Sequence, residues 1–334
     1  MSAPAAQFDL LGIGNPIMDL LAHVDDDFLA RHVAGAKGGM VLVEAAEIER
    51  LLGRVDAPVT VTPGGSAANA TLIATRLGLA TAFLGPIGSD ATAEAYRSNF
   101  AAAGSDVSRF KRAALPNGRC LSLVTPDGQR TMRTHLGAAM TLSPEEIRPA
   151  DFRGVRHAHI EGYLLFNPAL AEKVTATARA AGCTLSIDLA SFEVVHAARD
   201  WILRQLREGV HVVFANEDEV RALFGRDAGF DVLARELAAF GGIAAVKLGK
   251  DGAWLAQGRA LHRVAPVPVA RVVDTTGAGD SWAAGFLFGY LRGRPLPIAG
   301  AIGSLLGAEN VQHLGASPPD DAWPRLRQQV AAMA

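Results

Sequence analysis

Short apolar runs recur along the chain, separated by longer helical patterns, and this alternation restricts the fold more than any other feature. Phe8–Ile13, Thr81–Leu84, His157–Ile160, Thr184–Leu189, Val210–Phe214 and Ala244–Leu248 read as strands without a polar face. Between them, Ala67–Leu77, Ala91–Ala102, Pro168–Ala181, Ala197–Arg207, Glu217–Phe224 and Val232–Phe240 read as helices. Several stop at a glycine (Gly78, Gly104, Gly182, Gly225 and Gly241), as a left-handed position after a helix favours. Ser143-Pro144-Glu145-Glu146 has the form of a capping box with proline at the first helical position. Strands that are apolar throughout need cover on both faces. The expectation is therefore a three-layer α/β fold, with a mainly parallel central sheet between helices.

Two regions break the rhythm. Leu20–Thr62 is more loosely patterned, and Cys120–Thr125 and Arg130–His135 flank the turn signal Pro126-Asp127-Gly128. Together they suggest a small separate β-sheet placed as a lid over the active edge of the main sheet. The expected division is a large body of residues 1–14, 63–112 and 138–334 and a discontinuous lid of residues 15–62 and 113–137. Asp25-Asp26-Asp27 reads as a solvated loop or a helix start.

A chain of 334 residues that is 49% hydrophobic and 20% charged can bury a substantial core. A net charge of −2 without a long basic run argues against a nucleic-acid partner. Cys120 and Cys183 are far apart and lack ligand-type spacing, which disfavours a disulfide framework or zinc site and suits a reducing cytoplasm. Met1–Gln7 lacks the features of a secretory signal, and Trp282–Leu291 is too short and glycine-rich to span a bilayer. The expected setting is cytoplasmic, without a membrane.

The chemistry is concentrated in Asp274-Thr275-Thr276-Gly277-Ala278-Gly279-Asp280, which runs into the apolar segment Ser281–Leu291. Glycines ahead of a helix let several N–H groups face one point, and the helix dipole makes that point an anion site. A carboxylate there repels phosphate, but it suits removal of a proton from a hydroxyl attacking phosphate. The alternative is an acidic residue complementing a helix start.

Earlier, Thr62-Pro63-Gly64-Gly65-Ser66-Ala67-Ala68-Asn69 opens a helix. It reads either as close backbone approach to a ligand or as a plain turn capped by Ser66. Gly12-Ile13-Gly14-Asn15-Pro16-Ile17-Met18-Asp19 lacks the third glycine of a dinucleotide fingerprint, which counts against an oxidoreductase. Its Asn15 and Asp19 would suit paired sugar hydroxyls or sit in a surface turn. Asn216 and Glu219 are compatible with holding magnesium-bound water or with a helix cap. Leu248-Gly249-Lys250-Asp251-Gly252 is compatible with a hairpin turn or a nucleotide contact. No GxxxxGK[ST], GxSxG or HExxH string occurs.

The pairing of Gly64-Gly65-Ser66-Ala67-Ala68-Asn69 with Asp274–Asp280 resembles the ribokinase-like carbohydrate and nucleoside kinases. Within them the chain is most similar to adenosine kinases, bacterial ones in particular. The resemblance spans nearly the full length and includes Lys37–Met40, Arg130–Ala139, Glu161–Leu164 and Phe214–Glu217. It implies ATP and Mg2+, transfer to the 5′-hydroxyl of a nucleoside such as adenosine, and a monomer or homodimer. Other nucleosides, ribose or fructose are the alternative acceptors, and a catalytically silent ligand-binding regulator is a reading from another class. By resemblance, Asp280 is the base and the amides of Gly277, Ala278 and Gly279 form the anion hole. Asn15, Asp19, Gly64, Gly65, Ser66 and Asn69 hold the acceptor. Arg130 reaches from the lid, and Tyr163 and Phe192 are the candidates to stack on the base. Asn216 and Glu219 organise magnesium, while Lys247, Gly249, Gly252, Thr276 and Asn310 lie along the nucleotide. Asp274 and Thr275 fall where many relatives bind a monovalent cation, commonly potassium.

Overall fold

The apolar runs form one eight-stranded sheet. Its order is Ala260–Val264, Ala253–Gln257, Ile243–Lys247, Val212–Ala215, Thr184–Asp188, Val155–Glu161, Phe8–Ile13 and Thr81–Leu84. From Ile243–Lys247 to Thr81–Leu84 all neighbours are parallel; the first two strands add an antiparallel hairpin at one edge. This computed structural model describes residues 7–127 and 129–333. Met1–Ala6 and Gly128 lie outside the described residues, so the expectations placed on the N-terminal segment and on the third position of the Pro126-Asp127-Gly128 turn fall there in whole or part.

Period-two alternation divides the strand side chains between two apolar layers. Leu11, Ile13, Val213, Ala244 and Val246 face the helices Pro168–Ala180, Phe192–Arg207, Glu217–Phe224 and Phe230–Ala238. Leu10, Val212, Phe214, Ile243 and Ala245 face the opposite layer with Trp282, Phe286 and Leu287 of the helix Ala278–Leu291. That helix and Leu296–Asn310 pack in turn on Ser66–Leu77 and Trp323–Ala332. The three-layer expectation therefore holds, and the five glycines expected after helices all have positive φ.

Some boundaries differ for local reasons. The helix expected at Ala197–Arg207 starts at Phe192, where the Ser191 hydroxyl accepts from Val194 N–H, and it is kinked at Ala198. The capping box at Ser143 initiates only the single 3-10 turn Pro144–Glu146. Asp25 caps the helix Asp26–His32 by accepting from Phe28 N–H at 2.7 Å.

A smaller sheet has the order Met40–Leu42, Arg130–His135, Gly118–Val124, Ile17–His23 and Thr60–Gly64. The expected hairpin joins its second and third strands. Met18, Leu20, Ala22, Leu121 and Leu123 bury one face with Leu29, Ile48 and Leu51. The other face is polar: the Arg130 guanidinium donates to Ser122 Oγ at 3.3 Å, and Asp19 lies beside Cys120 and Thr62 in register. Among the described residues no helix is long and apolar enough to cross a membrane.

Candidate active site

Parallel strands bring their carboxyl ends to one edge, and there a cleft of about 970 Å³ opens. Phe8–Ile13 leads onward to its neighbour Thr81–Leu84 on one side, while its other neighbour Val155–Glu161 leads onward to Thr184–Asp188 on the opposite side, so the connections diverge between Phe8–Ile13 and Val155–Glu161. Such a switch point is where ligands enter sheets of this kind.

The late glycine turn is built from its own side chains. Asp274 Oδ1 accepts from Thr276 N–H at 3.0 Å and Thr276 Oγ1 at 2.6 Å, while Oδ2 accepts from Gly315 N–H at 2.9 Å. Asn310 donates its amide to the Thr276 carbonyl. Gly277 then takes φ +68°, with Ala316 atoms 2.7 Å from where a Cβ would stand, so glycine is required on two counts. The helix Ala278–Leu291 follows, with Asp280 in its first turn.

Asp280 faces the cleft and is gripped from a second helix. Ser66 Oγ donates to its Oδ1 at 2.7 Å, and Asn69 Nδ2 donates to its Oδ2 at 2.9 Å. Ser66 and Asn69 are three apart on the helix Ser66–Leu77 and therefore share a face. That helix starts after Gly65, whose φ of +99° and 2.3 Å approach of Asn15 O to a would-be Cβ exclude other residues. Burial raises the Asp280 pKa, against the opposing hydrogen bonds from Asn69 and Ser66.

Two further carboxylates organise the site, and neither was singled out as a functional side chain from sequence. Glu161 accepts from Asn15 Nδ2 at 3.0 Å and from Ala67 N–H at 3.1 Å, joining the two early glycine motifs. Burial pushes its pKa up to about 7. Asp188 accepts from Lys247 Nζ at 2.7 Å. Burial disfavours the Lys247 charge, but Asp188 and Glu219 outweigh it and its pKa is raised, so the ammonium persists. A Cβ on Gly279 would stand 3.2 Å from Lys247 Nζ, which places that cation against the glycine turn. Both acids end buried parallel strands, and a carboxylate closing an apolar run was the available sequence signal.

Asp19, Gly65, Ser66, Asn69, Tyr163, Lys247, Gly249, Gly252, Asn216 and Glu219 border the cleft together with Thr275–Asp280. Asn216 and Glu219 form a reciprocal cap: Glu219 N–H donates to Asn216 Oδ1 at 2.9 Å, and Asn216 N–H donates to Glu219 Oε2 at 2.8 Å. Cap and cleft wall thus coincide. Gly249–Asp251 closes the hairpin between Ile243–Lys247 and Ala253–Gln257 and also borders the cleft. Burial lifts Asp19 to about 7, although Arg130 opposes the shift.

Several expected ligand contacts stand off the wall. Asp274 and Asn310 sit behind the turn: both Asp274 oxygens accept hydrogen bonds and Asn310 Nδ2 donates to the Thr276 carbonyl, while the buried Asn310 Oδ1 has no partner among the described residues. Asn15 is turned to Glu161, and Gly64 backs the Asp19 carboxyl. Arg130 Nη1 lies 3.7 Å from Asp274 Oδ1 instead of on the wall. Phe192 meets His196 edge-on, outside the cleft lining.

A glycine turn that opens a helix, with a carboxylate fixed beside it at a sheet-edge cleft, is an arrangement compatible with phosphoryl transfer to a small molecule. Residues 49–323 match the family described as pfkB family carbohydrate kinase, and the chain belongs to that family. The crystal structure of adenosine kinase from Sinorhizobium meliloti is 34% identical, with a TM-score of 0.86 over 97% of this chain and 100% of that one. A probable sugar kinase from Rhizobium etli CFN 42 is 32% identical, with a TM-score of 0.87 over 98% and 100%. Adenosine kinase 2 of Arabidopsis thaliana is 24% identical over 345 residues, 95% of this chain and 98% of that protein. The chain is thus an adenosine kinase-like phosphotransferase of the nucleoside and sugar kinases, with an alcohol as acceptor and ATP as donor.

Proposed function

We propose that the acceptor is the 5′-hydroxyl of a nucleoside, adenosine foremost, giving AMP and ADP. The observation that carries the reading is the Asp280 carboxylate, aimed by Ser66 and Asn69 into the cleft that Asp19 and Tyr163 also border. Asp19, the Gly65 backbone and Asn69 receive the ribose hydroxyls, and the Tyr163 ring supports the base. Asn15, Gly64 and Ser66 act behind them as positioning groups.

Asp280 takes the proton of the 5′-hydroxyl as its oxygen bonds to the γ-phosphorus. The bond from that phosphorus to the β,γ-bridging oxygen breaks, and its electron pair leaves with ADP. N–H groups of Gly277, Ala278 and Gly279 receive charge on the transferred phosphoryl, and Lys247 adds a cation beside them. Gly249, Gly252 and Thr276 line the path of the donor. The small sheet, residues 15–62 and 113–137, closes over the body formed by residues 1–14, 63–112 and 138–334, with Arg130 on its polar face.

Asp188, Glu219 and Asp280 make the wall acidic, and Mg2+ would be held there through water by the oxygens of Asn216 and Glu219. When bound, magnesium offsets phosphate charge. Among the described residues no three His, Cys, Asp or Glu form a metal-ligand cluster. Asp274 fits a monovalent cation poorly, since both of its oxygens already accept from backbone N–H groups.

The second reading is a sugar kinase, favoured by one observation: Tyr163 lies on the wall while Phe192 does not, so the base has a platform without a clamp. ADP release should be measured with adenosine, inosine, guanosine, cytidine, ribose and fructose. The proposal expects the highest kcat/KM for adenosine; preference for ribose or fructose refutes the acceptor, and no release with any refutes phosphoryl transfer to this class.

A further inference from the structure

The helices Ser66–Leu77 and Ala278–Leu291 begin at the cleft, and a second cavity of about 370 Å³ lies where they end. At 1.5 Å per residue that is about 20 Å from Asp280. Its volume falls in the range of small-molecule pockets. Leu77, Phe288 and Val330, one from each of three helices, make an apolar floor. Arg292, Arg294 and Arg327 surround it.

Cations are favoured at helix C-termini, and this accounts for part of the cluster. Arg292 Nη2 donates to the Gly78 carbonyl at 2.8 Å, and Arg327 Nη1 donates to the Arg76 carbonyl at 3.2 Å. Each contact engages one arm of a five-donor group. Asp9 lies 3.9 Å from Arg292 but already accepts from Ala80 N–H at 3.0 Å. The half-buried Arg294 side chain has no hydrogen bond or ion pair among the described residues, and helix capping does not explain it. Arg292, Arg294 and Arg327 thus line one cavity, and among the described residues Asp9 is the one acidic side chain within 4.0 Å of any of them.

We propose that this cavity is a second binding site, separate from the kinase cleft, for a small phosphate monoester with an apolar or aromatic body. The guanidinium forks would take the phosphate oxygens in paired contacts, and Phe288, Leu77 and Val330 would cover the body.

Phenyl phosphate and inorganic phosphate serve as probes, titrated calorimetrically into wild type, Arg294→Gln and Arg294→Glu at one ionic strength. Arg294 donates to no described group, so both variants should keep the wild-type melting temperature and ADP-release rate. The expected result is phenyl phosphate binding weakened roughly tenfold by Arg294→Gln and further by Arg294→Glu. Inorganic phosphate should bind wild type more weakly than phenyl phosphate. Identical phenyl phosphate isotherms for all three proteins, or no binding to wild type, overturns the site. Equal affinity for the two probes overturns the role of the apolar floor.

Discussion

Asp280→Asn separates proton transfer from positioning, because the surroundings of this carboxylate accommodate an amide. The retained Asn oxygen can accept from Asn69 Nδ2, as Asp280 Oδ2 does at 2.9 Å. The new NH2 can donate to Ser66 Oγ, since a hydroxyl that now donates at 2.7 Å can turn and accept. Shape and orientation survive and the base is lost. Loss of a general base should lower kcat by roughly 10² to 10⁴-fold, about 3–5 kcal/mol of transition-state stabilisation. Nucleotide affinity should hold or improve, as a carboxylate beside the phosphate site disappears. Burial raises the Asp280 pKa, so its charged form costs folding stability at neutral pH and the neutral amide should melt no earlier than wild type. The assay combines steady-state ADP release, calorimetry with a non-hydrolysable ATP analogue, and thermal melts. A kcat within about fivefold of wild type refutes the base. A large kcat loss together with a lower melting temperature would show that the carboxylate acts by holding the two helices together.

Gly277→Ala should cost about 1–3 kcal/mol in urea unfolding and abolish most turnover, because φ is +68° and the new methyl meets Ala316. Asp19→Ala should raise the acceptor KM with the ATP-analogue affinity unchanged, read by calorimetry with each ligand. Lys247→Met leaves the buried Asp188 without its partner and should destabilise by about 3 kcal/mol, with Lys247→Met/Asp188→Leu recovering most of it in the same unfolding assay. Glu161, raised to about 7 by burial, binds a proton in the folded chain that the unfolded chain releases near its ordinary carboxylate pKa. Its stabilising contribution is therefore fully present below about 4.5 and lost progressively as pH rises to about 7. The buried neutral imidazoles of His157 and His159 have lowered pKa values and contribute in the opposite sense below their ordinary pKa. The comparison of wild type with Glu161→Gln cancels them. Urea midpoints should move in the variant's favour as pH rises from about 4.5 to about 7 and stay level above that.

The sheet was legible because its strands are apolar without interruption and its helices stop at glycine. Phe8–Ile13 and Thr81–Leu84 needed no correction. The smaller sheet was visible mainly through its hairpin; Met40–Leu42 and Thr60–Gly64 carry too little alternation to declare strands. Both glycine motifs were legible as turns that open a helix, and both border the cleft. Local sequence could not separate a cap from a cleft wall at Asn216 and Glu219, since the same hydrogen bonds serve both.

Linear order thus carried the layers, the two glycine turns and the acid that opens the late helix, all of which depend on neighbours a few residues away. Partner choice came from folding. Asp280 meets Ser66 and Asn69 across 214 and 211 residues, Glu161 reaches Asn15 across 146, and Lys247 reaches Asp188 across 59. A carboxylate's role depends on what surrounds it and how far water is excluded, and those surroundings exist only once distant strand ends and helix starts share one edge of the sheet.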